Sequence, residues 1–348
     1  METSTGVAIL VTALKVFIVV NIIMVVVMFL TLAERKISAW IQDRHGPNRV
    51  GWGGILQPIA DGIKHMLKED VIPSHVDRFL YLLAPGISLI PALMTFAIVP
   101  FGDQITTSVF GELVTIKFQI ADLNIGILYF VGIASLGVYG IIVGGYSSNN
   151  KYSLLGGLRS SAQMISYEIP MGLAIVAVVM LAGSLRLSDI VADQQLHYWN
   201  VLRQPLGFLI FLIAAFAETN RLPFDLPEAE QELVGGYHTE YSSMKFSSFF
   251  IAEYSNMITS SALITTLFFG GWHVPGLAGL NISVWAEQLI QILAFVVKTG
   301  FFLFFYMWVR WTLPRFRYDQ LMNLGWKSML PLALLNIVLT GALQAYVF

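Results

Sequence analysis

The sequence predicts an all-α polytopic membrane protein of about eight transmembrane helices, with an amphipathic interfacial helix after the first. Only 12% of the 348 residues are charged while 56% are hydrophobic, and the mean hydropathy is +0.70. An ordinary soluble protein is about a quarter charged, so a soluble fold of this length would lack the polar groups to cover its surface. The apolar residues also gather in blocks, several exceeding the roughly 18 residues that a bilayer-spanning helix requires.

The first block, 7–32, is apolar except for Lys15 and follows an acidic start without a basic n-region, so it reads as a retained span and not a cleaved signal peptide. In residues 53–68, Ile55, Ile59, Ile63, Met66 and Leu67 form one helical stripe, with Asp61, Lys64, His65 and Lys68 elsewhere around the helix. This segment is too short and too charged to span, and predicts a helix lying in the interface. A simple surface anchor satisfies the same composition, but Asp61 is unusual there, because interfacial helices recruit basic residues. Further spans are expected at 79–101, 122–146, 159–182, 203–218, 247–272, 284–309 and 328–347. Pro91, Gly132, Gly137 and Pro170 inside them are tolerable where neighbouring helices re-satisfy the backbone. The fifth is short and is expected to run past Glu218 into protein-buried structure. No internal period or low-complexity linker appears, so residues 1–348 form one transmembrane domain.

Fifteen of the 20 Lys and Arg follow odd-numbered spans; only Lys117, Arg186 and Arg203 follow even-numbered ones, with Lys15 and Lys298 inside spans. The positive-inside rule places the odd loops in the cytoplasm and both termini on the periplasmic side. The absence of cysteine removes disulfides and iron–sulfur ligation. The six histidines, at 45, 65, 75, 197, 238 and 273, all fall in loops or at span ends, where none could ligate a mid-bilayer haem. The chain is therefore expected to carry no redox centre, and it shows no zinc site, phosphate-binding glycine loop or nucleophile triad.

The chemistry lies in acids at membrane depth. Glu168 sits about nine residues into the fourth span, about 13 Å along its axis. Glu253 sits about six residues into the sixth. Each is costly if charged and lipid-facing, and neither has a fixed cation close in sequence, so both should face the bundle interior and be protonatable, paired or water-linked. With Glu218 they draw a line toward the loop FAETNRLPFDLPEAEQELVGGY, which adds Arg221, Asp225, Glu228, Glu230 and Glu232. There Pro223 and Pro227 forbid a continuous helix, and Asp225 with Glu228 forms a capping box that would start a new one. A solvated acidic face, or helix-packing through protonated carboxyls, is the plainer explanation of these acids. Lys298 lies near mid-bilayer on one face with Glu287 and Gln291, and needs a buried partner; structural pairing and charge transfer are equally open for it. The basic, aromatic segment RWTLPRFRYDQLMNLGWK could pair with the acidic loop, attract anionic lipids or bind a partner subunit.

LAERK, HGPNRVGWGGILQPIADGIK, SYEIP, the acidic loop, IAEY and LPRFRYDQLM occur in this order across positions 32–322. In them the chain resembles the H-subunit family (subunit 1 in mitochondria) of respiratory complex I, the proton-translocating NADH:quinone oxidoreductase. The resemblance implies a membrane subunit at the joint of the two arms, forming the membrane side of the quinone tunnel from the first span, the amphipathic helix and the loop between spans five and six. It implies that Arg35, Asp61, Arg221, Phe224, Arg310 and Arg315 line or flank that tunnel. It also implies that Glu168, Glu218, Asp225, Glu228, Glu230, Glu232 and Glu253 connect it to the membrane arm as a proton path, on which Lys298 is a further candidate. Quinone is then the substrate, NAD and the iron–sulfur clusters reside on partner subunits, lipids surround the chain, and no nucleic acid is expected. Two other assignments remain open: the equivalent subunit of a membrane-bound hydrogenase or ferredoxin-linked complex, and a stand-alone proton-coupled transporter, which would show repeat-related broken helices near midplane.

Overall fold

A computed structural model describes residues 5–109, 112–227, 233–277 and 283–347. The first helix, α1 (Thr5–Ile41), extends nine residues beyond the C-terminal end of the first apolar block. The amphipathic segment folds as α2 (Gln57–Leu67), started by Pro58 in its first turn, where a missing N–H costs nothing. Lys64 and His65 lie in its last turn, toward the negative end of the helix dipole. The side chain of Asp77 caps α3 (Arg78–Met94) by accepting from the amides of Phe79 and Leu80.

Helices α4 (Gly126–Ser147) and α5 (Lys151–Ala182) follow. The fourth predicted span begins eight residues early, because Asn150 caps α5 through the Tyr152 amide at 3.0 Å and no proline interrupts 151–158. Gly183, at φ 67°, ends α5 in the left-handed conformation that glycine adopts without penalty. Close approach fixes the α3–α4 crossing: a Cβ on Gly140 would lie 2.1 Å from the Ser88 hydroxyl. Small residues at such crossings are how membrane helices gain packing where lipid supplies no hydrophobic drive.

After the short helices α6 (Leu187–Leu196) and α7 (Asn200–Arg203) come α8 (Pro205–Glu218), α9 (Ser243–Phe268) and α10 (Val284–Thr312). A short α11 (Tyr318–Asn323) continues through a π-helical turn, Leu324–Met329, into α12 (Leu330–Val347), so the final loop is shorter than expected. Six helices among the described residues are long and apolar enough to cross a membrane. The predicted spans five and six correspond to the 14-residue apolar α8 and to α9. The latter is rich in Ser and Thr, and Thr259, Ser261, Thr265 and Thr266 each donate to the carbonyl four residues earlier.

One departure from the all-helical expectation is an antiparallel hairpin, β1 (Gln104–Val109) with β2 (Glu112–Lys117), paired Gln104 to Lys117 and Ile105 to Ile116. The main core joins α1, α5, α8, α9 and α10 around Tyr167, Phe211, Ile264, Phe268 and Tyr306. A second core packs the loop before α9 onto α3 and α4, with Tyr81 and Tyr241 stacked at 4.2 Å.

Candidate functional site

Two cavities lie side by side. The larger, of about 610 Å³, runs between α1, α2, α9 and the C-terminal end of α10. Asn21, Met24, Met28, Thr31 and Arg35 line it from one face of α1, three or four residues apart, over about 21 Å of helix, with Val25 beside them. Met66, Met244, Phe246, Phe250 and Ile251 complete an apolar wall. The polar lining includes Glu34, Arg35, Asp61, His65, Tyr254 and Arg310. A few oriented polar groups in an apolar cavity of several hundred Å³ is the composition of a small-molecule site.

The acid that looked out of place on α2 has its reason in three dimensions. Asp61 accepts from Arg35 at 2.6 Å and from Gln57 at 3.0 Å, tying α2 to the end of α1 across the cavity wall. Both partners are partly exposed, so the pair adds little to stability but fixes where the charges stand.

Of the six residues expected to line or flank a quinone tunnel, Arg35, Asp61 and Arg310 are in the lining of this cavity, and Arg221, Phe224 and Arg315 are outside it. Arg221 is only 2% exposed and stands behind the wall. Its Nη1 donates to Glu34 Oε2 at 2.9 Å, and its Nε lies 2.5 Å from Glu253 Oε1. On the cavity side, Glu34 also meets Arg310 Nη1 at 2.6 Å and the Tyr254 hydroxyl at 2.7 Å. Burial works against the Arg221 charge, but Glu253 and Glu34 outweigh it and hold the guanidinium well above its ordinary value. Glu253 therefore does have a fixed cation, supplied by a loop 32 residues earlier that sequence proximity did not indicate.

The smaller cavity, of about 50 Å³, has room for one or a few waters. Glu168, Glu218 and Glu253 all line it, together with Ser88, Ser135, Thr219, Asn220 and Asn256. Glu168 accepts a short hydrogen bond from the Ser135 hydroxyl of α4. The three membrane-depth acids therefore do face inward and do converge. Asp225 is 5% exposed and pairs with Arg315 at 2.8 Å, so the basic last loop folds onto the acidic one. Gln163 of α5 pins that loop by donating to the carbonyls of Ala217 and Phe224 at 2.7 and 2.6 Å. Phe224 packs edge-on against Tyr167. Glu228, Glu230 and Glu232, with the expected capping box, lie outside the described residues.

The partner of Lys298 is backbone. Its ammonium donates to the carbonyls of Phe269, Gly271 and His273 at 2.8–3.0 Å and lies 4.8 Å from the Trp199 ring. Burial and this neighbouring charge push the His273 imidazole below its usual range. Glu287 instead meets Gln291, whose side-chain oxygen accepts from the Asp103 amide. Glu34, Tyr254, Ser135 and Gln163 were missed as site residues. Only Glu34 left a signal, as an acid at the end of an apolar span inside a motif otherwise read through Arg35.

The sequence profile of the NADH dehydrogenase family matches residues 14–341. Similar curated proteins include the H subunit of the NADH-quinone oxidoreductase of Flavobacterium johnsoniae, 53% identical over 327 residues, covering 93% of this chain and 92% of the relative. An H subunit of the same enzyme from Cytophaga hutchinsonii is 51% identical over 324 residues, covering 93% and 94%. One from Geobacter sulfurreducens is 52% identical over 334 residues, covering 94% and 93%.

Proposed function

This chain belongs to the NADH dehydrogenase family, as a membrane subunit of NADH-quinone oxidoreductase, and from that premise we propose that it forms the membrane side of the quinone tunnel and a carboxylate path for protons leading from it. The observation that carries this reading is the apolar 610 Å³ cavity, polar along one part of its wall, whose Glu34 is joined through Arg221 to Glu253 on the wall of the carboxylate cavity. An isoprenoid quinone has the matching chemistry: an apolar tail for Met24, Met28, Met66 and Phe250, and two carbonyl acceptors for donors such as Arg35 and Arg310. Arg221 and Arg315 take a supporting place, pairing with Glu34 and Glu253 and with Asp225, while Phe224 packs against Tyr167.

Reduction of a quinone to a quinol takes two electrons and two protons. The electrons reach the substrate from cofactors on partner subunits, since this chain has no cysteine to ligate an iron–sulfur cluster. The chain contributes binding, orientation and proton handling. Negative charge brought onto a quinone in a low-dielectric cavity raises the proton affinity of nearby carboxylates, and an acid that responds passes the change along to its neighbours. Glu253, Glu218 and Glu168 are the neighbours, with Asp225, Glu228, Glu230 and Glu232 continuing the path along the loop. The basic bias of the odd loops supports eight crossings, α8 and α9 included, in the inner (plasma) membrane with both termini periplasmic.

The test is Asp61→Asn in the assembled complex. Removing the charge frees Arg35 and opens the α1–α2 tie, so quinone reductase activity falls about ten-fold or more while electron transfer to a hydrophilic artificial acceptor is retained. Loss of assembly, or unaltered quinone kinetics, contradicts the reading.

A further inference from the structure

Four methionines are exposed among the described residues, Met24, Met66, Met94 and Met244, and three of them line the large cavity, with the half-buried Met28 beside them. We propose that Met66 and Met244 form an oxidation-sensitive collar at the mouth of that cavity, where hydrogen peroxide converts their thioethers to sulfoxides and slows the passage of an apolar substrate tail. The inference rests on the quinone reading above, and adds to it a reversible covalent modification.

Both residues line the cavity and yet are 68% and 43% exposed, which places them at its mouth. They come from different elements, the last turn of α2 and the first turn of α9, and two serines bring those turns together. The Ser243 hydroxyl donates to the carbonyls of His65 and Lys68 at 2.9 and 3.1 Å, so Met244 directly follows the residue that holds the turn containing Met66. Beside it, Ser242 exchanges hydrogen bonds with the backbone of Val71 at 3.2 Å, and Lys245 pairs with Asp70 at 2.8 Å. The exposed Lys64, Lys68 and Asp70 keep water at this seam, and a small uncharged oxidant arrives with the water. Met94 is 41% exposed but stands apart from the cavity wall, which makes it the internal standard.

A thioether is readily oxidised where the leucine and phenylalanine of an apolar wall are inert. Its sulfur lone pair attacks one oxygen of the peroxide, and the S–O bond forms as the O–O bond breaks. The departing hydroxide gains the proton left on the transferred oxygen and leaves as water. Sulfur is oxidised by two electrons and the peroxide is reduced by the same two. The product carries a strong acceptor oxygen in place of a flexible apolar contact. Water solvates that oxygen while the mouth is open. A hydrocarbon tail sliding past strips the water and supplies no donor, so the lost hydrogen bonding opposes passage. Enzymatic reduction of the sulfoxide restores the apolar collar.

The experiment treats the intact complex in lipid bilayers with graded hydrogen peroxide, and reads sulfoxide at each methionine by peptide mass spectrometry alongside quinone kinetics. Sulfoxide is expected at Met66 and Met244 well before Met94. Over the same treatment kcat/KM for a long-tail quinone falls about five-fold or more, while a short-tail quinone and a hydrophilic acceptor keep most of their rates. Methionine sulfoxide reductase with a dithiol restores the loss. In a complex bearing both Met66→Leu and Met244→Leu, compared with its own untreated sample, peroxide causes little loss. Equal sulfoxide at Met94, an equal fractional loss in the leucine variant, or no recovery with the reductase overturns the proposal. The recovery arm needs only the wild-type chain, so it decides the matter if the variant does not assemble. Complete oxidation of both methionines with long-tail kinetics unchanged overturns the proposal and the quinone reading together, whereas oxidation that bypasses the collar overturns the proposal alone.

Discussion

Glu34 is the residue around which the site is organised, and it is where sequence reasoning was weakest. Its partners Arg221, Tyr254 and Arg310 all lie more than 180 positions away, so no local pattern could announce that it is buried and held by three side chains. Asp61 and Glu168 were easier to recognise because each is anomalous where it stands: an acid on an interfacial stripe, and an acid deep in an apolar block. Lys298 was anomalous in the same way, but its partners are carbonyls, which leave no trace in a sequence. Hydrogen bonds from a charged donor are worth about 1.5–3 kcal/mol each, and Lys298→Met forfeits three while leaving their acceptors unsatisfied. Faster amide exchange across residues 269–273 and a lower inactivation temperature are therefore expected. A fall in kcat with unchanged exchange would instead give Lys298 a part in charge transfer.

At the scale of elements, the apolar blocks foretold the long helices because burial in lipid and backbone self-satisfaction leave a helix as the economical choice. The boundaries moved where a cap or a polar turn overrode hydropathy, as at Asn150 and along the π-helical turn before α12. The β1–β2 hairpin was legible in principle, since Ile105, Thr106, Thr115 and Ile116 are β-branched, yet a reading tuned to span-length blocks passes over six-residue strands. The hairpin is tied to α6 through Asp122, which accepts from Arg186 at 2.9 and 2.6 Å and from Lys117 at 2.5 Å. Burial of Asp122 works against its charge, but these bonds prevail and draw the carboxyl below its ordinary range. A carboxylate so depressed stabilises its surroundings above the ordinary value and loses that contribution as pH falls below about 4. Amide exchange in 104–117 is expected to accelerate in that acid window. Asp122→Asn is expected to show the accelerated rate already at pH 7 and no further acid dependence; an acid-insensitive wild-type hairpin would contradict the assignment.

For the whole molecule, what was legible was an apolar helical body with acids set inside it. What was not legible was that those acids converge from α5, α8 and α9 on one small cavity, and that the loop after α8 folds a guanidinium back between it and a second, larger one. That arrangement depends on packing partners far apart in sequence, such as Gly140 against Ser88 and Tyr167 against Phe224 for the walls, with Arg221 against Glu34 for the partition. The central claim is that the small cavity carries protons in step with chemistry in the large one. Its most direct measurement is quinone reduction and proton translocation, recorded together, in proteoliposomes of the assembled complex bearing Glu168→Gln or Glu253→Gln. These substitutions preserve volume and most hydrogen bonding while removing the ionisable group, so both rates are expected to fall together by about ten-fold or more, with Glu→Asp milder. Turnover and translocation untouched by Glu→Gln, with assembly lost only in Glu→Ala, would make these acids packing elements and contradict the account.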